Sequence, residues 1–260
     1  MKNENLKKYF KQRLNHKTFT IILGIYLFLC LASSVYWCIE FQVRNLFMSL
    51  IFMFFVPIIL LFEYSLKIRL GEIFTIGVLS IALGTILGSC FNVYTIIPFL
   101  DTLLHGLSGI LFFCLGFTLA EKFFNKVETK KSFFGRLLFA VCFSLAIALA
   151  WELFEYLCTV LFGWDMMEDT YVTNINSYLL AGSHTETVQI QGIIKTLIYY
   201  GNGQTYTMNG YLDLGLLDTL TDMTVCVGGT LVFIVVSLIG FFKFPQLNRM
   251  LIPQIIEEAQ

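Results

Sequence analysis

Charge is what this chain has least of. Of its 260 residues, 13% are Asp, Glu, Lys or Arg, while 57% are hydrophobic and 16% aromatic. Soluble domains carry roughly 25% charged residues, so the composition excludes a water-soluble domain and leaves a polytopic membrane protein. An excess of one sign is also missing: the net charge is −1, with 17 Lys and Arg against 18 Asp and Glu. No basic stripe lies outside the ends of the apolar segments, which excludes nucleic acid as a partner. The seven cysteines, Cys30, Cys38, Cys90, Cys114, Cys142, Cys158 and Cys226, contain no CxxC pair and sit within or at the edges of apolar runs. That excludes a disulfide scaffold and makes them small core residues. No small residue precedes Cys30 in Leu-Phe-Leu-Cys, so a lipoprotein processing site is set aside. The first apolar run is about 20 residues long and is followed by others, so it is an uncleaved transmembrane helix rather than a signal peptide.

What is present is a series of apolar runs. A bilayer core about 30 Å thick needs about 20 residues at 1.5 Å each. Six stretches meet or approach that length: Thr18 to Ile39, Leu46 to Phe62, Ile73 to Phe91, Thr102 to Ala120, Leu137 to Phe162 and Leu216 to Phe242. The second is the shortest and carries Pro57, which lipid-embedded helices tolerate because neighbours satisfy the freed carbonyl. The expected fold class is an all-α polytopic bundle of six transmembrane helices, in the lipid bilayer of the plasma membrane.

Basic loops resist translocation, so Lys and Arg report orientation. Six fall before the first span, two in the second loop (Lys67, Arg69), five in the fourth (Lys122, Lys126, Lys130, Lys131, Arg136) and two in the tail (Lys243, Arg249), which puts fifteen of seventeen on one side. Only Arg44 and Lys195 fall on the other. Both termini are therefore expected in the cytoplasm, with residues 1–17 a basic arm, 18–242 the membrane domain and 243–260 a tail. The long loop 163–212 then lies outside. Its stretch from Ile190 to Tyr200 is apolar enough for a short interfacial helix or re-entrant piece, and the loop as a whole is long enough for a lid.

Ionisable groups inside lipid-spanning helices are rare and usually mark function. Three pairs stand out: Asp101 with His105, Glu152 with Glu155 after Trp151, and Asp218 with Asp222. Spacings of three and four place both members of a pair on one helical face, roughly 4.5–6 Å apart along the axis. By depth, all three pairs reach the outer half of the membrane. Five carboxylates and one imidazole with no intramembrane Lys or Arg are too costly to leave uncompensated. Either a divalent cation, with oxygen ligands and one His suiting Mg, Mn, Ca or Zn, or protonation of several carboxylates must offset them.

Simpler roles exist for some members. Asp101 and Asp218 sit where a helix cap would, and a single bundle histidine is more often structural than a ligand. Asp222, one turn deeper, cannot cap, and Glu152 and Glu155 follow an apolar run with no polar partner on their own helix. Gly106, Gly109, Gly228 and Gly229 would allow close helix approach beside these residues. Thr102, Ser108, Thr219 and Thr221 are neighbouring hydroxyls.

These segments carry a resemblance. Asp101-Thr-Leu-Leu-His105-Gly-Leu-Ser-Gly109, Trp151-Glu152-Leu-Phe-Glu155 and Gly210-Tyr-Leu-Asp213-Leu-Gly-Leu-Leu-Asp218-Thr-Leu-Thr-Asp222-Met resemble, in order, the DxxxHxxxG, WExxE and DTxxDM signatures of the YjdF-like bacterial integral-membrane proteins. The resemblance implies a six-helix inner-membrane protein with a shared acidic site, and no reaction. A weaker likeness to VanZ-like proteins rests on the Asp-x-x-x-His pair and turns attention to the cell envelope.

The first functional expectation is a membrane-embedded, metal-dependent hydrolase or transferase acting on a lipid-linked or phosphorylated envelope substrate. Asp101, His105, Glu152, Glu155, Asp218 and Asp222 would hold the metal, with a catalytic role for Glu152, Glu155, Asp218 and Asp222 among them. No basic residue near these positions would hold a phosphate, apart from Lys195 or His184 in the loop. The alternatives are a cation- or proton-coupled transporter, disfavoured by the lack of an inverted repeat, and a membrane scaffold stabilised by a fixed ion.

Overall fold

A computed structural model describes residues 2–123, 129–244 and 253–255. Lys126, Arg249 and most of the 243–260 tail lie outside the described residues. In chain order the helices are α1 (Lys2–Leu14), α2 (Lys17–Ile39), α3 (Val43–Met53), α4 (Phe55–Leu66), α5 (Glu72–Thr85) continued by a π-turn (Ile86–Cys90), α6 (Val93–Ile96), α7 (Phe99–Phe123), α8 (Lys130–Phe162), α9 (Tyr178–Ala181) and α10 (Leu216–Phe242). The strands are β1 (Ile68–Arg69), β2 (Tyr171–Val172), β3 (Ile175–Ser177), β4 (Val188–Ile190), β5 (Lys195–Tyr200), β6 (Gln204–Asn209), β7 (Tyr211–Leu212) and β8 (Gln254–Ile255).

Six of these helical stretches are long and apolar enough to cross a membrane: α2, α3 with α4, α5 with the π-turn, α7, α8 and α10. The protein is an all-α polytopic membrane bundle. The sixth span has the expected bounds, whereas α8 begins at Lys130 rather than Leu137, because polar residues at a membrane surface continue a helix as readily as apolar ones. The second span is broken at Phe54. Pro57 has no N–H for the Met53 carbonyl and its ring crowds that oxygen. The Phe54 N–H instead bonds Ile51 O at 3.0 Å, and α4 starts with the proline in its first turn.

Two compact units make up the chain, Met1–Ala150 with Asp222–Gln260, and Trp151–Thr221. In the first, α2 packs on α3 and α5 on α7, and α1, within the basic arm, docks on α2 and α4. Its anchor is Glu63, fully buried in α4 and one residue beyond the end expected for the second span, which sets it outside the intramembrane charges that the apolar runs define. Four donors converge on its carboxylate. Arg13 Nε and Nη2 reach Oε2 and Oε1, both at 2.9 Å, the Tyr9 hydroxyl reaches Oε2 at 3.0 Å and the Leu70 N–H reaches Oε1 at 2.8 Å. Arg13 also donates to Leu70 O at 2.8 Å and lies 3.5 Å over the Phe19 ring. Burial and the adjacent carboxylate push the Tyr9 phenol well above its ordinary range, so it stays a donor. Close by in sequence, β1 pairs antiparallel with β8, and Thr118 of α7 donates to Pro253 O at 3.0 Å.

In the second unit the loop forms antiparallel strand pairs, β2 with β7, β3 with β4 and β5 with β6. The stretch expected as an interfacial helix or re-entrant piece is strand. Thr196-Leu-Ile-Tyr-Tyr200 is β-branched and aromatic, and Gly201 and Gly203, at φ 54° and 82°, turn it back on β6. Asp213 holds this unit to the start of α10. Its Oδ1 accepts the N–H of Thr170 at 2.8 Å and of Gly215 at 3.3 Å, and its Oδ2 accepts that of Leu217 at 2.8 Å. Slight burial pushes its carboxyl up, but these N–H groups outweigh it and hold the group below the ordinary carboxylate range.

Arg13→Gln strips a buried carboxylate of its cation and is expected to lower stability by about 3–5 kcal/mol, while Arg13→Leu with Glu63→Leu recovers most of it. Thermal unfolding in detergent reads this, and an unchanged midpoint for the single variant would refute the assignment. Asp213→Ala should cost about 1 kcal/mol and Asp213→Asn less, since an amide oxygen still accepts. Because the folded carboxyl is lowered, the Asp213 contribution is present above the ordinary carboxylate range and fades as pH falls through the lowered value. Midpoints recorded against pH for wild type and Asp213→Ala should converge in acid.

Candidate metal centre

α7 starts directly after Pro98, which cannot continue a preceding helix but suits the entrance to a new one. Asp101 is its third residue, inside the first turn rather than at the cap, so the capping role open to it in the sequence is not the one it takes. Its carboxylate instead lies along the helix toward His105, one turn deeper. α10 supplies Asp222, which is almost fully buried. His105 Nε2 stands 3.7 Å from Asp101 Oδ1 and 3.4 Å from Asp222 Oδ2. One ligand atom from each of the three residues lies within 4.8 Å of the other two. Side-chain exposure falls from 24% at Asp101 through 14% at His105 to 4% at Asp222, so the group opens toward the start of α7.

Glycine makes this meeting possible. A Cβ on Gly109 would overlap the Cys226 carbonyl, and one on Gly229 would overlap the Gly106 carbonyl, so α7 and α10 touch backbone to backbone. Gly106 itself faces Val225, while Gly228, expected to serve the same purpose, faces open space. Below the carboxylates a buried hydroxyl pair fastens the contact to α8. Ser144 Oγ donates to Gly109 O at 3.0 Å and lies 3.1 Å from Thr230 Oγ1, which reaches the same carbonyl at 3.4 Å. No sequence signal marks this pair, since isolated Ser and Thr in apolar helices most often bond their own backbone. Ser108 does that, donating to His105 O at 2.7 Å, and Thr102 and Thr221 are exposed.

The other candidates belong to the second unit. Glu152 is buried and Glu155 half-buried on α8, and Asp218 is half-buried in the first turn of α10. The capping role open to Asp218 at α10 falls to Asp213, five residues earlier in the same motif stretch.

The donor set fits a divalent cation. One imidazole N–H cannot bond two carboxylates at once, and both distances exceed those of an N–H···O bond. Two ligands each about 2.1 Å from an ion and about 90–110° apart stand about 3.0–3.4 Å from each other. Ligands on opposite sides of a calcium-sized ion, with bonds of about 2.4 Å, stand about 4.8 Å apart. The spacings at Asp101, His105 and Asp222, 3.7 and 3.4 Å from the imidazole and none above 4.8 Å, fall within that range. Three protein ligands also leave coordination positions open for water or substrate.

Residues 18–242 match the family of predicted membrane proteins DUF2238. The chain belongs to that family. The resemblance carried by the three motifs is consistent with it. No curated protein and no solved structure matches the chain.

Gly229→Leu is expected to force α10 off α7 and to cost at least about 1–3 kcal/mol, whereas Gly228→Leu should be tolerated. Thermal midpoints of the two variants distinguish them; equal losses would mean that the backbone contact is not what holds the helices together.

Proposed function

We propose that the protein is a metal-dependent hydrolase or transferase of the plasma membrane, acting on a lipid-linked or phosphorylated cell-envelope substrate. The observation that carries this reading is the convergence of Asp101, His105 and Asp222 within 4.8 Å at a glycine-lined helix contact. The distribution of Lys and Arg supports cytoplasmic termini, which would open the site at the outer face. Asp101, His105 and Asp222 hold the ion, Mg, Mn, Ca or Zn by donor type. The motifs add Glu152, Glu155 and Asp218, on sequence grounds, as further ligands or the general base. A divalent ion would supply polarisation of a phosphoryl or ester oxygen and acidification of a bound water. Asp101, the most exposed of the three, faces the direction from which a substrate would come.

The test is elemental analysis of chelator-free protein, wild type beside Asp222→Asn and Glu152→Gln, with hydrolysis of a lipid phosphate measured on the same samples. Wild type should hold a stoichiometric divalent ion, and Asp222→Asn should lose it and the activity together while unfolding near the wild-type midpoint. Glu152→Gln should abolish turnover. Absence of metal from wild type would point to protonated carboxylates and proton-coupled transport, read as ion flux in proteoliposomes. Loss of stability in the variants without any change in turnover would favour the scaffold.

A further inference from the structure

The proposed centre is acidic and contains no cation to hold a phosphate. The end of the first unit at which α7 starts has one. Arg44, in the first turn of α3, is one of two basic residues on the side of the chain that avoids them. Its guanidinium is held along one edge. Nη2 donates to Ser89 Oγ at 2.6 Å, and Nη1 donates to Ser89 O and to Asn45 Oδ1, both at 3.2 Å. Asn45 is fixed in turn by its Nδ2 on Cys90 O at 3.4 Å. These acceptors are neutral, and no carboxylate pairs with Arg44 among the described residues.

The other edge of the guanidinium, Nε–H with the second Nη2–H, is the one through which Arg13 grips Glu63. In Arg44 the Nε is buried and has no acceptor. A second orphan donor lies nearby along the chain: Trp37 Nε1 is also buried without an acceptor, and its ring meets Phe91, two residues after Ser89, at 4.9 Å. Tyr36 stacks on the same Phe91 at 5.7 Å. Clustered Trp and Tyr at a helix end mark the headgroup level of a bilayer. A buried donor without an acceptor asks for an explanation, and at a headgroup level rich in phosphate an anion supplies one.

Packing also gives the level of this cluster. Gly77 meets Leu111 and Gly84 meets Leu104, so α5 and α7 run antiparallel in a fixed register. Continued along both helices, that register sets Ser89 beside Phe99, two residues and about 3 Å short of Asp101 on the axis. Arg44 is thus about level with the outermost ligand of the proposed centre, on the side toward which that centre opens.

We propose that Arg44, braced by Ser89 and Asn45 and joined by Trp37, is a phosphate-binding point at the level of the proposed metal centre. A guanidinium edge matches two phosphate oxygens in a way that a point charge does not. The ligand is a phosphate group, carried by a lipid headgroup or free. This inference deepens the proposed function by naming the group that holds the substrate's phosphate, and it rests on that reading for its catalytic purpose. The binding itself depends on Arg44 and Trp37 and not on the metal.

Full-length wild type, Arg44→Gln, Arg44→Lys, Trp37→Phe and Asp222→Asn are purified in detergent and their midpoints compared. Native mass spectrometry follows binding of phosphatidylglycerol against diacylglycerol of the same chains, and calorimetry follows inorganic phosphate. Arg44→Gln should weaken phosphatidylglycerol binding at least tenfold with metal content unchanged, and Arg44→Lys and Trp37→Phe should fall between it and wild type. Asp222→Asn should lose metal and keep the lipid. Binding of phosphatidylglycerol without inorganic phosphate identifies a lipid headgroup, and binding of both identifies phosphate at large. Equal affinity of wild type and Arg44→Gln for phosphatidylglycerol, with inorganic phosphate bound by neither, overturns the proposal, as does equal binding of diacylglycerol. A wild type that holds no metal, yet binds phosphatidylglycerol more tightly than Arg44→Gln does, removes the metal centre and leaves the phosphate site standing.

Discussion

Lipid offers no hydrogen bonds, and every polar group that enters the bundle must find its partners within the protein. This constraint sorts the charges of the first unit. Glu63 is met by four donors and has no further capacity, which makes it a fastening for α1 and the α4–α5 connection. Arg136 lies near the end of the bundle opposite the carboxylate cluster, 3.6 Å from Glu121 with its guanidinium 5.3 Å over the Phe117 ring, and its long side chain spans the distance to a more solvated partner. Asp101, His105 and Asp222 differ from both. They are brought together without a cation among them, at distances too long for ordinary hydrogen bonds. Glu63 is thus a structural charge met within the fold, whereas the acidic trio has the spacing that suits a cation.

The trio is held by a rigid contact. Gly109 and Gly229 each press on a backbone carbonyl of the opposite helix, which leaves neither helix free to slide without collision. The Ser144 and Thr230 hydroxyls share the Gly109 carbonyl and tie α8 to the same point. Ligand spacing at Asp222 is therefore set by backbone geometry one to two turns away rather than by the carboxylates themselves, whose mutual repulsion would otherwise drive them apart. The proposed site would thus be preorganised for an ion by its scaffold.

Much of this is legible in the sequence because lipid simplifies the code. Span number follows from length and hydropathy, and the three motif pairs follow from charge where charge is costly. Pro57 announces a weakness in the second span, though not that the break falls at Phe54. Glu63 escapes notice because it lies one residue past the apolar run, and its partner Arg13 is fifty residues away in sequence. Neither the Ser144–Thr230 pair nor the anchoring of Arg44 on Ser89 leaves a periodic trace, since each joins helices whose register only packing decides. The strands between Lys195 and Asn209 are misjudged when apolar content is weighed above alternation and the glycine turn.

Arg44 shows what that long-range packing adds. Read along the chain it is a stray positive charge on the side that avoids them, and a topological cost. In the fold, one edge of its guanidinium is fixed by neutral acceptors that cannot offset its charge, and the Nε on the other edge has no acceptor. A charge retained only to meet Ser89 would be better replaced by a neutral donor, which makes the same bonds without the desolvation penalty. The retained charge is accounted for by an anion, and the headgroup level of a bilayer supplies one in phosphate. On the proposed reading, the acidic trio and the arginine would divide the work between them, the first suited to a cation and the second to a phosphate.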